Sequence, residues 1–331
     1  MPRSNVVAES GSAGAPTLRA TNCATLSVVI PNFNHARYLR EALESVLTQS
    51  RAPLEVIVID DASTDESVAI IEDYVARRPA VRLVRHDRNR GVIQNVNAIL
   101  PELMGTHVVF LAADDKLLPG FFETATKLLG EHPKAGMCLC DFQRFWDDGR
   151  SVIQRLRFAP EAGYVSAAAA PRALYNSWPH GQSVVRLAAL LEAGGYREEL
   201  RWHCDWFASW AICIRHGFCY APVVGTALRI SDGSFSGQGR RGPQQRHVLQ
   251  QILLFLGTDP QAWLRGPLRE ANAFSHFGPG VLGVLLRTSG GREFLTVSLV
   301  SCLVRQGVYH GCCRLLPRAL KEWVKKNLWR P

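Results

Sequence analysis

Asp114 and Asp115 are adjacent carboxylates that follow the apolar run 108–111 after two small residues. Their negative charges repel each other, so the pair needs a cation or a set of hydrogen-bond donors close by. Mg²⁺ and Mn²⁺ take carboxylate oxygens as ligands and bridge to the oxygens of a diphosphate. The pair therefore indicates a divalent metal site. The ordinary alternative is two loop aspartates, one of which caps the helix expected after Pro119.

Asp60 and Asp61 form a second pair, after the apolar run 56–59. A carboxylate at the end of a strand can accept hydrogen bonds from a ribose or a base. Helix capping accounts for Ser63 and Asp65, but it does not account for both members of the pair. No Gly-x-Gly-x-x-Gly segment follows the first apolar run. The usual cradle for a dinucleotide is therefore missing, which argues against a hydride-transfer enzyme.

The elements that must position these pairs alternate between short apolar runs and amphipathic segments. We predict buried strands at 26–30, 56–59, 81–84, 108–111 and 135–140. The first segment between them carries apolar residues at helical spacing, namely Leu39, Ala42, Leu43, Val46 and Leu47. This alternation predicts an α/β fold with a mostly parallel sheet covered by helices on both faces. Ligands bind such sheets beyond the carboxyl ends of the strands, where both acidic pairs stand.

The remaining segments are less regular. Helices are predicted at 184–193 and 205–216, and the Gly/Ser-rich loop 232–239 marks the best internal boundary. Residues 1–25 are rich in Ala, Ser, Thr and Gly and have no apolar h-region, so they predict a flexible tail rather than a signal peptide. The predicted units are a tail at 1–25, a domain at 26–238 with halves 26–115 and 116–238, and a basic helical extension at 239–331.

Five stretches, taken together, resemble the family 2 glycosyltransferases of the GT-A fold. They stand in the family's order and cover about residues 25–235. They are Ser27–Asn34, Val58–Asp65, Arg88–Gly91, Phe110–Asp115 and Cys204–Trp206. The resemblance implies a Rossmann-like GT-A domain that transfers a sugar, with inversion, from a nucleotide-diphosphate sugar, UDP- or dTDP-linked. It also implies a divalent metal, Mn²⁺ or Mg²⁺, and divides the domain into a nucleotide-binding half and an acceptor half.

The same resemblance assigns roles to individual positions. It implies that Asp205 is the general base that takes the proton of the acceptor hydroxyl. This residue stands at an expected helix N-terminus, where the helix dipole favours its ionised form. Asp114 and Asp115 would hold the metal and the diphosphate. The residues implied to bind the nucleotide sugar are Pro31, Phe33, Asp61, Arg88 and Asp114.

Three positions depart from the family's pattern. Ala112 stands where many members have the first Asp of an Asp-x-Asp-Asp motif, so the metal shell can differ. Cys204 replaces the Glu before the expected base and removes a neighbouring charge. Ser231 stands where many members have a His, which casts doubt on a metal ligand from that loop.

The sequence also bears on two other classes of protein. A catalytically silent GT-A domain that binds nucleotide or glycan is favoured by Ala112, but the retained Asp114, Asp115 and Asp205 oppose it. A nucleotidyltransferase would need a basic Gly-rich loop after the first strand, and the sequence has none there.

Trp202, Trp206 and Trp210 recur every four residues, which favours core packing on one side of a helix. The alternative is that a sugar ring stacks on Trp206. His203 and His180 have no partner at a useful spacing, so both are predicted to be ordinary polar side chains rather than acid–base groups.

The net charge of +9 is unevenly distributed. Residues 240–331 carry 14 Lys/Arg and 4 Asp/Glu, a balance of +10, so the other 239 residues carry a balance of −1. Residues 314–330 mix Leu and Trp with six basic residues and one acid, which is the composition of an interfacial helix. A solvated surface or a helix docked on the domain is the ordinary alternative.

The basic segment predicts a peripheral enzyme at the cytoplasmic, inner face of a membrane. Its acceptor is then expected to be a glycan or a lipid-linked intermediate of cell-surface polysaccharide synthesis, and no nucleic-acid partner is expected. No apolar run approaches the roughly 18 residues of a spanning helix.

Overall fold

The protein is described by a computed structural model that covers residues 24–179, 183–231 and 234–315, with side chains as far as 308 except at 235 and 259. Within these ranges the strands are β1 (Leu26–Asn32), β2 (Glu55–Asp60), β3 (Val81–Arg85), β4 (His107–Phe110), β5 (Lys116–Leu117), β6 (Met137–Phe145), β7 (Ser151–Gln154), β8 (Gly163–Val165), β9 (Val184–Arg186) and β10 (Phe218–Arg229). The helices are α1 (Ala36–Leu47), α2 (Ser67–Arg77), α3 (Val92–Ile99), α4 (Phe121–Glu131), α5 (Ala170–Ala173), α6 (Leu187–Glu192), α7 (Cys204–His216), α8 (Phe235–Arg241), α9 (Gln245–Leu256), α10 (Arg265–Glu270), α11 (Val281–Arg287) and α12 (Val297–Leu315).

The strands form one sheet in the order β3-β2-β1-β4-β9-β6-β10-β5, with β7 beside β6 and β8 beside β10. The pairs β1–β2, β2–β3, β1–β4 and β6–β10 are parallel. β9 runs antiparallel to both β4 and β6, so β6 and β10 point the same way as β1 to β4. The carboxyl ends of these six long strands therefore meet at one edge, and the predicted mostly parallel sheet is confirmed.

The strand pleat sends alternate side chains to two cores. Val28 and Ile30 point into a cluster with the buried faces of α1, α2 and α4, whereas Val29 points into a cluster with α7, α9 and α11. Successive side chains of a strand face opposite sides of the sheet, so a continuous apolar run is needed when both sides are covered. The predicted apolar face of α1 is confirmed, because Leu39 and Val46 are among its buried residues.

Residues 245–308 are helical and pack on the same face as α7. Phe274 and Phe277 lie 6.1 Å and 4.9 Å, between ring centroids, from Trp206 of α7. Side chains on both sides of residue 238 thus belong to one hydrophobic cluster. The division of the chain at this residue stays a prediction.

The helix predicted over 184–193 was wrong in its first part. Val184–Arg186 form β9 between β4 and β6, and helix begins only at Leu187. A short apolar run fits a strand as well as a helix, so periodicity alone does not separate the two.

The loop predicted over the Gly/Ser-rich segment 232–239 was wrong from residue 235 onward. The Ser234 side chain accepts the N–H of Gly237 at 3.2 Å and caps α8, so helix replaces the expected loop from residue 235. His180, residues 1–23 of the predicted tail and the side chains of the predicted interfacial helix 314–330 lie outside the described residues.

Candidate active site

A cleft of about 2550 Å³ opens at the carboxyl edge of the sheet. Its walls come from the ends of β1, β2, β4, β6 and β10, from the start of α3, and from α8. Lining residues from the sequence-predicted set are Pro31, Phe33, Asp61, Asp114 and Asp115. The structure thus brings five of the seven predicted site residues to one cavity. Arg88 and Asp205 are not among the lining residues.

The two aspartates after β2 have different roles, one structural and one in the cleft. Asp60 is fully buried, and its carboxylate accepts Asn32 Nδ2 at 2.9 Å and the N–H of Ser63 at 3.0 Å. It therefore ties the ends of β1 and β2 together. Asp61 instead lines the cleft, so each of the two carboxylates has a role of its own.

Asp61 is held as an anion by donors from the next loop. Its oxygens accept the N–H groups of Arg90 at 2.9 Å and Gly91 at 2.8 Å, and one of them lies 3.0 Å from Nδ1 of His86. Burial by itself raises the pKa of Asp61, but these hydrogen bonds outweigh burial and hold the pKa below its ordinary value. Gly91 has a φ of 89°, a left-handed conformation that suits glycine and turns its N–H toward the carboxylate.

Phe33 presents its ring to the cleft and is 43% exposed. Pro31, at the end of β1, lies beside it in the lining. An exposed aromatic ring in a cleft offers a flat surface for a base to stack on. Arg88 is exposed in the loop after β3, and its neighbours Asn89 and Arg90 line the cleft in its place.

The acidic pair after β4 is held by Arg229, the last residue of β10. The backbone N–H of Arg229 donates to Oδ1 of Asp115 at 2.6 Å, and its Nε donates to the carbonyl oxygen of Asp114 at 3.0 Å. The parallel sheet brings the ends of β4 and β10 to the same edge, so these contacts join residues far apart in the chain.

Arg229 is itself enclosed by charges and rings. Its guanidinium forms ion pairs with Glu41 at 2.8 Å and with Asp147. It also lies 4.1 Å from the ring centroid of Tyr38 and 4.5 Å from that of Phe145. The side chain is only 8% exposed, and this burial fixes the position from which it reaches Asp114. Sequence reasoning missed Arg229, since no local signal connects it to the acidic pair.

The donor set at Asp114 and Asp115 fits a hard divalent metal that also takes oxygens from a ligand. The Asp114 carboxylate accepts no hydrogen bond from any described residue and lines the cleft. Among the described residues no cluster of three or more His, Cys, Asp or Glu could hold a metal by itself. Mg²⁺ and similar ions are commonly held by one or two carboxylates together with substrate phosphates and waters.

Asp205 lies in the first turn of α7, as predicted, and its Oδ1 accepts the N–H of Trp206 at 2.8 Å. Burial raises the pKa of Asp205, although the Trp206 N–H and the charge of Arg240 act in the opposite direction. The expected effect of the helix N-terminus is thus outweighed by burial. Glu198, from the turn before α7, does line the cleft. The role of Asp205 as a base stays a prediction.

The aromatic residues of α7 are core, as the spacing favoured. Trp206 and Trp210 are 1% and 0% exposed, so stacking of a sugar on Trp206 is wrong. The ring of His203 is buried, with Nε2 at 3.1 Å from Oε1 of Gln245. Burial lowers the pKa of His203 to about 4, which keeps it neutral and supports its prediction as an ordinary side chain.

Residues 27–185 match the family model described as Glycosyl transferase family 2. Among curated relatives, the chain is 28% identical over 249 residues to the uncharacterized protein MT1568 of Mycobacterium tuberculosis, covering 71% of this chain and 76% of that one. It is 37% identical over 118 residues to the uncharacterized glycosyltransferase YibD of Escherichia coli, covering 35% of this chain and 34% of YibD. The match thus spans about a third of YibD.

Several solved structures share the fold, among them S. aureus TarS and the mannosyltransferase PcManGT. S. aureus TarS, in complex with UDP-GlcNAc, has a TM-score of 0.62 at 21% identity and covers 85% of this chain and 79% of its own. The mannosyltransferase PcManGT of Pyrobaculum calidifontis, in complex with GDP-Man and Mn²⁺, has a TM-score of 0.57 at 19% identity and covers 93% and 88%. The expected GT-A fold is confirmed. The resemblance of residues 27–185 to the family 2 glycosyltransferases is confirmed, and the fold together with this match defines a glycosyltransferase domain.

In the described part of the chain, no helix has both the length and the apolar character needed to cross a membrane.

Proposed function

We propose that the protein is an inverting glycosyltransferase that moves a sugar from a UDP- or dTDP-linked donor to a glycan or lipid-linked acceptor of cell-surface polysaccharide synthesis. One observation carries the proposal: the cleft places Asp61 and the exposed ring of Phe33 in the same cavity as Asp114 and Asp115. A nucleotide-diphosphate sugar has a base, a ribose and a diphosphate that match an aromatic ring, an ionised carboxylate and a metal-binding pair.

The nucleotide end of the donor would be bound by the ends of β1, β2 and β3. Phe33 and Pro31 would hold the base, and Asp61 would accept hydrogen bonds from the ribose hydroxyls because its lowered pKa keeps it ionised. Arg88, exposed beside the cleft wall, would contact the nucleotide from the loop after β3. The structures of TarS with UDP-GlcNAc and PcManGT with GDP-Man support a nucleotide-sugar donor.

Asp114 and Asp115 would hold Mn²⁺ or Mg²⁺, for which PcManGT bound to Mn²⁺ is a supporting example. When bound, such a metal stabilises the negative charge that develops on the departing diphosphate. Arg229 would act as a positioning residue, because its backbone and side chain hold both aspartates at the edge of the cleft.

Asp205 is proposed as the general base. It would take the proton of the acceptor hydroxyl, whose oxygen attacks the anomeric carbon while the bond to the diphosphate breaks. A single displacement of this kind inverts the anomeric configuration. The raised pKa of Asp205 suits this role, because a base works best when its pKa approaches the operating pH.

Asp205→Asn tests the assignment. In a screen of UDP-, dTDP- and GDP-linked sugars with Mn²⁺, the donor that raises the melting temperature is chosen for transfer assays. We expect the variant to lose about 10²- to 10⁴-fold in transfer rate, the usual contribution of a general base, and to keep donor affinity and stability.

Glu198→Gln is the matched control, since Glu198 is a nearby carboxylate that lines the cleft and hydrogen-bonds Gln94 at 2.9 Å. Loss of transfer in the Glu198 variant, with normal transfer in the Asp205 variant, would move the base to Glu198. Donor binding without hydrolysis or transfer for any sugar would favour a silent binding module.

The proposed location is the inner face of the membrane, with residues 314–330 as a peripheral contact. Its support is the charge balance of +10 in residues 240–331. Full-length protein should float with anionic vesicles and be released by high salt, and a chain ending at Cys313 should not float. Equal flotation of both would exclude this segment as the anchor.

A further inference from the structure

A second cavity, of about 420 Å³, lies outside the segment matched by the family model and between α9, α11 and the Ala273–Phe277 turn. Three arginines line it: Arg240, Arg246 and Arg287. None of the described residues that line it carries a carboxylate. Its volume is within the range of small-molecule sites, about 300–1,000 Å³.

Of the three arginines, Arg240 also acts through its charge on the carboxylate of Asp205. Within the described residues none of them forms an ion pair, and all three are exposed. Arg240 lies over the ring of Trp178 at 6.0 Å, which orients it without neutralising it. Guanidinium groups bind phosphate oxygens through paired hydrogen bonds, so several of them on one cavity favour a group of charge near −2 over a singly charged one.

The remaining walls are apolar or neutral. Leu249 and Val284 contribute aliphatic surface, and Phe277 contributes part of its ring. His203 also lines the cavity, and its pKa of about 4 keeps it uncharged at neutral pH. The cavity therefore joins an anion-binding rim to an apolar wall, a combination that suits an amphipathic ligand.

We propose that this cavity binds the terminal phosphate or diphosphate of an ester whose alcohol is an apolar chain. The cavity adjoins the large cleft, because Arg240 and His276 line both. The bound ester would thus lie next to the cleft in which the nucleotide-sugar donor is proposed to bind, and only this relation to the donor rests on the proposed function. Phosphate binding in the cavity does not depend on it.

The test measures binding by calorimetry with the full chain, in EDTA, so that no metal can hold a diphosphate at Asp114 and Asp115. The probes are farnesyl diphosphate, inorganic pyrophosphate and dihexanoyl phosphatidylglycerol. Farnesyl diphosphate should bind at least about tenfold more tightly than pyrophosphate, because it also buries apolar surface. Phosphatidylglycerol, a phosphodiester with one charge, should bind more weakly than farnesyl diphosphate.

Arg246→Gln combined with Arg287→Gln should weaken the binding of farnesyl diphosphate by about tenfold or more, since two charge-assisted contacts are lost. The charge-matched control is Arg172→Gln with Arg269→Gln, two exposed arginines outside the cavity. Melting temperatures and donor binding in Mn²⁺ should be unchanged in both double variants.

Three results would overturn the proposal: unchanged binding of farnesyl diphosphate in the cavity variant, equal loss in the control variant, or equal affinity for pyrophosphate and farnesyl diphosphate. Preferred binding of phosphatidylglycerol would also overturn it, in favour of a membrane headgroup. The assay uses neither donor nor metal, so failure of this site is distinguishable from failure of the proposed transfer.

Discussion

The carboxyl edge of the sheet and the helices α8, α9 and α11 each line a cavity, but they assemble their charged residues in different ways. At the sheet edge, Asp61 directly follows β2 and Asp115 lies in the loop after β4, and their carboxylates accept backbone N–H groups from the next loop and from Arg229 at the end of β10. In the helical cavity, Arg240, Arg246 and Arg287 come from three separate helices and have no ion-pair partners among the described residues.

This difference explains why one region carries recognisable sequence motifs and the other does not. Parallel strands deliver their carboxyl ends to one edge, so short sequence stretches suffice to build a site there. Helices place residues on a common cavity only through their packing angles, which single stretches of sequence do not encode. The family model accordingly covers 27–185 and stops before the helical segment.

The largest expected effect concerns whether the two regions are energetically separate. Trp206 packs on Phe274 and Phe277, so Trp206→Ala should remove a contact between α7 and the helical segment. We expect a loss of about 3–5 kcal/mol in the free energy of unfolding, measured by urea denaturation, because the site is fully buried. Trp263→Ala, at a site 38% exposed, should cost about 1 kcal/mol or less. If Trp206→Ala lost no more free energy of unfolding than Trp263→Ala, the helical segment would contribute little to the core.

Acid should destabilise the protein through two buried histidines. Burial lowers the pKa of His107 in β4 and of His203 before α7 to about 4. The unfolded chain binds a proton near pH 6.5 and the folded chain does not, so stability falls as the pH drops from about 6.5 to about 4.

Each histidine would contribute up to about 3 kcal/mol of this loss, at about 1.4 kcal/mol per pKa unit. Urea titrations at several pH values should show a smaller acid loss in His107→Gln and in His203→Gln. The exposed His247 provides the control, as His247→Gln should keep the full pH dependence. An unchanged profile in both buried-site variants would contradict the prediction.

Loss of the acidic pair should act on the sheet edge alone. Asp115→Ala and Asp114→Ala should each weaken nucleotide binding in Mn²⁺ by about 100-fold. Replacement of residues that only hold a metal's ligands in place already costs about 10–100-fold in metal affinity or activity. Asp87→Ala is the matched control, since that carboxylate is 84% exposed in the loop after β3. Calorimetry that gave equal affinity in Mn²⁺ for wild type and Asp115→Ala would exclude the metal assignment. Binding of farnesyl diphosphate in EDTA should not change in any of these variants.

The smallest effect is expected from Arg229→Lys. A lysine keeps the charge near Glu41 and Asp147, but it cannot supply the Nε donor that reaches Asp114. We expect about tenfold weaker nucleotide binding in Mn²⁺, equal to about 1.4 kcal/mol, and unchanged binding without metal. Arg265→Lys changes an arginine that pairs with Glu293 and does not line the cleft, so it should leave nucleotide binding intact. Equal effects of the two substitutions would indicate a general loss of stability rather than positioning.

The amino-acid sequence by itself determined the alternation of strands and helices and the arrival of Asp61, Asp114 and Asp115 at one edge. Each of these rests on local information: an apolar run buried on both faces forms a strand, and parallel strands end on the same side. Local sequence could not predict which of Asp60 and Asp61 is structural, because only the register of β1 against β2 shows that Asp60 binds Asn32.

Tertiary structure alone decided the features that depend on contacts between distant residues. Arg229 reaches the acidic pair because β10 lies in the same parallel sheet as β4, and Val184–Arg186 form a strand because a space between β4 and β6 accepts them. Phe274 and Phe277, which pack on Trp206, follow α7 in the chain, and burial likewise raises the pKa of Asp205. Local propensity cannot report such burial, because desolvation is set by everything that packs around a group and not by its neighbours in sequence.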